Sequence, residues 1–90
     1  MPQPAQPNSH QRRWAANLRA ARLSAHLTQS KLARLLDIDQ QNISRWENGR
    51  AVPRDDMKFR LAEFFGVAAA DLFPWDPGND DANGDEGQAA

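Results

Sequence analysis

The sequence has no cysteine and only two histidines, His10 and His26. Without thiols there is no disulfide framework and no thiolate metal cage, and two isolated imidazoles are too few and too far apart for a metal site. No stretch approaches the roughly 18 to 20 continuous apolar residues that a membrane span needs. The N-terminus lacks the apolar core of a signal peptide, and the further arginines after Arg12-Arg13 argue against a twin-arginine export signal. Excess charge of one sign is also missing: 11 Lys and Arg against 12 Asp and Glu give a formal net charge of −1. Taken whole, the chain shows no basic excess of the kind a polyanionic partner attracts. Its 90 residues allow one small domain, held together by packing alone.

What is present is unevenly distributed. Residues 1–11 carry three prolines, no Asp, Glu, Lys or Arg and almost nothing apolar, the composition of a disordered N-terminal arm. Residues 76–90 carry five acids, no base and no large apolar side chain, the composition of a disordered acidic tail. Residues 12–75 hold all 11 bases against seven acids, a balance of +4. The average of −1 therefore conceals a basic domain joined to an acidic tail.

The domain reads as helices, with no alternation that would make a strand. Helix 1 is expected from about Gln11 to Ser24, with Trp14, Leu18, Ala21 and Ala25 along one face. His26 falls where the chain turns. Thr28 is a good N-cap for a second helix ending near Asp37, and Asp39 for a third through Glu47, with Ile43 and Trp46 inward. Asn48-Gly49 is a stop signal and Val52-Pro53 keeps the next stretch extended. A fourth helix follows from Arg54 or Asp55 to Phe65, its apolar stripe Met57, Leu61, Phe64 and Phe65; Gly66 ends it, and Ala68 to Phe73 form a short last helix. Phe73 and Trp75 are expected to cap the core. The fold class is all-α, a compact five-helix bundle.

Helices 2 and 3 are joined by too short a link to lie antiparallel, so they cross at a wide angle. That crossing needs a small residue at the close approach, a turn residue tolerant of φ > 0 and an apolar lock on the second helix, which Ala33, Asp37 and Ile43 supply. Leu27-Thr28-Gln29, Leu32-Ala33, the run Ile43-Ser44-Arg45-Trp46-Glu47-Asn48-Gly49, Pro53 and Leu61-Ala62-Glu63 together resemble the phage-repressor-like helix-turn-helix family of Cro/C1 or Xre type. The likeness covers roughly residues 17–73. It departs from the family pattern at His26 and Asp37, where glycine is usual, at Lys31, where glutamate is common, and at Asp55, where an apolar residue is frequent.

The resemblance implies a lambda-repressor-like DNA-binding domain whose helix 3, about residues 39–47, lies in a major groove. Gln can pair with adenine and Arg with guanine through two hydrogen bonds each. Carried over position by position, Gln40, Gln41 and Arg45 would read base edges. Ser44 is grouped with them and Asn42 with the phosphate contacts, although either can reach a base or a phosphate. Thr28, Gln29, Lys31, Asn48 and Arg50 would hold phosphates. Arg22 and Glu47 match a structural ion pair that ties helix 3 to the scaffold. Arg12, Arg13 and Arg19 read either as a solvated charge run or as further phosphate contacts.

The function implied is a cytoplasmic, nucleoid-associated transcriptional regulator of bacterial or phage type, most simply a repressor that occludes a promoter at a double-stranded DNA operator. An antitoxin that represses its own operon is the alternative within the DNA class, and a helical protein–protein adaptor the alternative outside it. A homodimer and a protein partner, such as a toxin or antirepressor, are both compatible with the resemblance. No catalytic constellation is present, since Ser44 has no nearby His and Glu47 has an arginine partner. No cofactor, metal or membrane partner is expected, and the chain is read as a binding protein rather than an enzyme.

Overall fold

The computed structural model describes residues 9–74, and all five expected helices occur there: α1 (Ser9–Ser24), α2 (Gln29–Leu36), α3 (Gln40–Glu47), α4 (Asp55–Phe65) and α5 (Ala69–Leu72). Residues 1–8, Trp75 and the acidic segment 76–90 lie outside the described residues. α1 starts at Ser9, two residues ahead of the expected Gln11, so that Ser9 and His10 belong to the helix rather than to the arm. His10 is buried and its ring lies 5.9 Å from that of Trp14.

α1, α2, α3 and α4 all stop in the same way. Each continues into a residue at positive φ: His26 (60°), Asp37 (59°), Gly49 (72°) and Gly66 (73°). The next N–H turns back to a carbonyl five residues earlier: Leu27 to Arg22 at 3.1 Å, Ile38 to Ala33 at 2.9 Å, Arg50 to Arg45 at 2.9 Å and Val67 to Ala62 at 3.0 Å. This Schellman arrangement satisfies carbonyls that the helix end would otherwise orphan. At His26 and Asp37 it places a side chain in the left-handed region, where a Cβ is strained and Asp and His are tolerated better than most.

The helix starts follow from side-chain caps. Thr28 Oγ1 accepts from the N–H of Lys31 at 3.0 Å, and Asp39 Oδ1 accepts from the N–H of Gln41 at 2.9 Å. α4 has no side-chain cap; Asp55 and Asp56 in its first turn meet the positive end of the helix dipole instead.

Leu18, Leu32, Ile43 and Leu61 are fully buried and bring α1, α2, α3 and α4 to one centre, closed by Trp14, Ala33, Leu36, Leu72 and Phe73. Trp46 packs against this centre from α3. Trp14 is held on several sides: its Nε1 donates to the Pro74 carbonyl at 2.6 Å, Phe73 meets it edge-on at 6.0 Å, and the Lys58 ammonium sits 4.3 Å from its ring centroid. Asn17 Nδ2 donates to the Leu72 carbonyl at 3.0 Å, which fixes α5 on α1. Arg60 Nη2 donates to the Leu36 carbonyl at 2.6 Å and ties α4 to the end of α2.

Two details differ from the expected faces. Phe64 is exposed and packs edge-on against Phe65 at 5.1 Å, so that the inward stripe of α4 is Met57, Leu61, Ala62 and Phe65. Ala25 lies past the end of α1 and is exposed. α5 is also one residue shorter at each end than the expected Ala68 to Phe73.

Candidate functional site

α3 is eight residues long, and its two sides have opposite characters. Ile43 and Glu47, one turn apart, are buried, while Gln40, Gln41 and Arg45 are exposed. Asn42 and Ser44 are half-buried at the margin between them. Burial of the inner row fixes the rotation of the helix, and with it the direction of the outer row.

A buried, two-bond ion pair anchors this helix. Arg22 of α1 grips the Glu47 carboxylate with two parallel bonds, Nε to Oε2 at 2.7 Å and Nη2 to Oε1 at 2.9 Å. Its third nitrogen, Nη1, donates to the Leu27 carbonyl at 2.7 Å. The two side chains are 9% and 3% exposed, so solvent screens the pair little. The hydrogen bond to Glu47 holds the Arg22 pKa above its ordinary value; burial opposes this and the carboxylate's charge adds to it. One side chain thus joins the end of α1, the turn before α2 and the end of α3.

Gln29 completes this cluster. Its Nε2 donates to Glu47 Oε1 at 3.1 Å, which commits the side chain to an internal partner. The Gln29 main-chain N–H remains at the first turn of α2, where the cap of Thr28 takes the N–H of Lys31 instead. A link between positions 29 and 47 has no local signature in the sequence, because it arises only when α2 and α3 are packed together.

On the exposed face the polar side chains contact one another weakly. Arg45 reaches back to Gln41 Oε1 and Asn42 Oδ1, both at 3.4 Å, and Asn48 Nδ2 meets Ser44 Oγ at 3.3 Å. Bonds of this length are at the edge of useful geometry and are easily exchanged for an external partner. Asp39, Gln40, Gln41, Ser44 and Arg45 line a shallow open depression on this face. Thr28, Lys31, Asn48 and Arg50 are exposed, and the exposed Arg12, Arg13 and Arg19 lie on α1.

Arg54 is a residue that the sequence reading did not single out, having taken it as the start of a helix. A second open groove, between α3 and the start of α4, is lined by Asn42, Trp46, Val52, Pro53, Arg54, Asp56 and Met57. The Arg54 side chain is 89% exposed, with a loose 3.9 Å pairing to Asp56. Its cation therefore stands beside the same face as Asn42. Among the described residues, no group of three or more His, Cys, Asp or Glu is placed to hold a metal ion, and no helix is long and apolar enough to cross a membrane.

Comparison with known proteins converges on this arrangement. Residues 18–72, which run from α1 through α5, match the helix-turn-helix family. An uncharacterized HTH-type transcriptional regulator of Methanocaldococcus jannaschii is 40% identical over 48 residues, which are 53% of this chain and 73% of that protein. The crystal structure of a hypothetical transcription factor from Neisseria superposes with a TM-score of 0.67 at 26% identity, over 86% of this chain and 91% of the other. The solution structure of the SOS-response transcriptional repressor LexA from Eubacterium rectale shares the fold, with a TM-score of 0.72 at 22% identity over 89% of this chain and 85% of the other. With its two capped helices, the short turn at Asp37 and the anchored third helix, the chain belongs to the Cro/C1-type helix-turn-helix family of DNA-binding transcription regulators.

Proposed function

We propose that the chain is a sequence-specific DNA-binding protein that represses transcription by laying α3 in the major groove of an operator and occluding the promoter that overlaps it. The observation that carries this reading is the exposed row Gln40, Gln41 and Arg45 on a helix whose opposite side is locked by Ile43 and by the Arg22–Glu47 pair. Side chains on a helix fixed in rotation can meet base edges in one register.

In this reading Gln40, Gln41 and Arg45 contact base edges, with Ser44 beside them. Thr28, Lys31, Asn42, Asn48 and Arg50 hold the phosphates that flank the groove. The hydroxyl hydrogen of Thr28 is free to donate while its oxygen caps α2. Gln29 contributes through its main-chain N–H, since its side chain is held by Glu47. The exposed cation of Arg54 adds a phosphate contact next to Asn42. Each good two-bond base contact contributes about 1–3 kcal/mol of discrimination, whereas the phosphate contacts supply affinity without sequence preference. Two copies bound to half-sites about 34 Å apart would present two such helices to successive grooves. The protein acts by binding rather than by catalysis.

Amide shift mapping tests the placement. Titrating a duplex into isotope-labelled protein is expected to move the amides of residues 28–31 and 39–50 and to leave those of α5 in place. Shifts confined to α4 and α5 would refute the groove assignment.

A further inference from the structure

The acidic residues left over by the reading above have a place to go. Lys31, Arg45 and Arg50 are exposed, and none has a carboxylate within ion-pair distance among the described residues, whose pairs are Arg22–Glu47, Arg54–Asp56 and Lys58–Asp55. The face proposed for DNA therefore carries exposed cations without an ion-pair partner, with the carboxylate of Asp39 in the depression that Arg45 lines. Five acids, Asp76, Asp80, Asp81, Asp85 and Glu86, follow the last described residue within 12 positions, with no base among them.

The described chain ends near that face. Pro74 is held by Trp14 Nε1 at 2.6 Å, and Phe73 lines one crevice together with Trp14, Trp46, Ala51 and Val52. Trp46 belongs to α3, and Ala51 directly follows Arg50. Phe73 and Pro74, the last described residues, thus lie beside the C-terminal end of the proposed reading helix. A chain spans at most about 3.5 Å per residue, so Glu86 can stand about 40 Å from Pro74 and Asp80 about 20 Å. The longest extent of the described residues is 39 Å, and distance does not keep the acids from Arg45 and Lys31. Tethering through so few residues gives an effective concentration in the millimolar range, which makes even weak charge pairing effective at low salt.

We infer that residues 76–86 dock on the cationic face formed by Lys31, Arg45 and Arg50 and compete there with DNA phosphate. The inference deepens the DNA-binding reading, because the same face serves both polyanions. Because it must leave the face before a duplex of either kind can occupy it, the segment lowers non-specific and operator affinity by the same factor at low salt. It acts as a built-in brake that keeps phosphate-driven binding weak.

The absence of cysteine allows a clean test in the full chain. A nitroxide attached at Asn83→Cys is expected to broaden the amides of Lys31, Arg45 and Arg50 at about 50 mM salt, and much less at about 500 mM, where screening is short-ranged. Replacing all five acids, Asp→Asn and Glu→Gln, in the labelled chain should remove the broadening. Amides that never broaden, or that broaden equally in the neutralised chain, would overturn the docking. In parallel, the neutralised chain should bind a duplex of random sequence about threefold more tightly or better at low salt, the gain vanishing as salt rises. Equal affinity at low salt would overturn the competition. If neither form binds any duplex, the DNA reading fails, while the broadening still decides the docking.

Discussion

Replacing Arg22 with alanine removes three hydrogen bonds at once, two to Glu47 and one to the Leu27 carbonyl, and leaves a carboxylate whose side chain is 3% exposed with a single remaining donor, Gln29. Breaking a buried pair from one side costs about 3–5 kcal/mol, because the surviving charge is neither solvated nor paired. A domain of this size has only about 3–10 kcal/mol in total, so Arg22→Ala should fall close to the folding threshold. Removing both charges, as in Arg22→Met with Glu47→Leu, replaces the pair by apolar groups of similar reach and is expected to recover most of the loss. The assay is urea unfolding of the wild type, both single variants and the double variant, followed by titration of DNA on whichever chains are folded. A coupling of about 3 kcal/mol between the two positions would be the signature of a pair acting as one unit. Arg22→Ala should also weaken DNA binding by freeing α3 to rotate. Single variants that each cost under about 1 kcal/mol and add without coupling would refute the reasoning, as would unchanged affinity together with unchanged stability.

Three other outcomes are expected. His26→Gly and Asp37→Gly relieve left-handed strain at the ends of α1 and α2 and should each raise stability by about 0.5–1 kcal/mol, several degrees in the melting temperature of so small a domain; lower melting temperatures would contradict the strain argument. Asp39→Ala removes the cap on the first turn of α3 and should cost about 1 kcal/mol, seen as a lower urea midpoint. Arg50→Ala should weaken all duplexes alike and reduce the slope of log affinity against log salt by about one. Gln41→Ala should instead leave that slope in place while relaxing preference at one base pair.

Much of the fold was legible because its signals are local. Thr28 and Asp39 announce helix starts through their own side chains, and Gly49 and Gly66 mark ends through the backbone they permit. The short link between helices 2 and 3 called for a residue tolerant of positive φ at Asp37, and the glycine usual in the resembled family pointed to positive φ at both His26 and Asp37; the structure gives them 60° and 59°. The ion pair of Arg22 with Glu47 was accessible only through resemblance, since nothing between positions 22 and 47 brings them together until three helices have packed. For the same reason the bond from the Gln29 side chain to Glu47 has no signal in the sequence.

Adjacent aromatics gave a different difficulty. Phe64 and Phe65 are about 100° apart on the helix, so that only one can face the centre, and composition does not say which. His10 shows the converse case, a polar residue buried at the start of α1 that a hydropathy pattern assigns to the arm. Overall charge was the least informative number: −1 for the chain describes neither the basic helices nor the acidic segment.

Sequence-specific recognition by α3 is tested most directly by selecting bound duplexes from a random DNA pool, with the wild-type chain and with Gln41→Ala in parallel. The wild type is expected to enrich a half-site motif, paired at a spacing of about 10 base pairs or a multiple of it where two copies bind together. Gln41→Ala should enrich the same motif with preference lost at a single position. A wild-type pool that converges on no motif, or a Gln41→Ala pool indistinguishable from it, would contradict the role assigned to this helix.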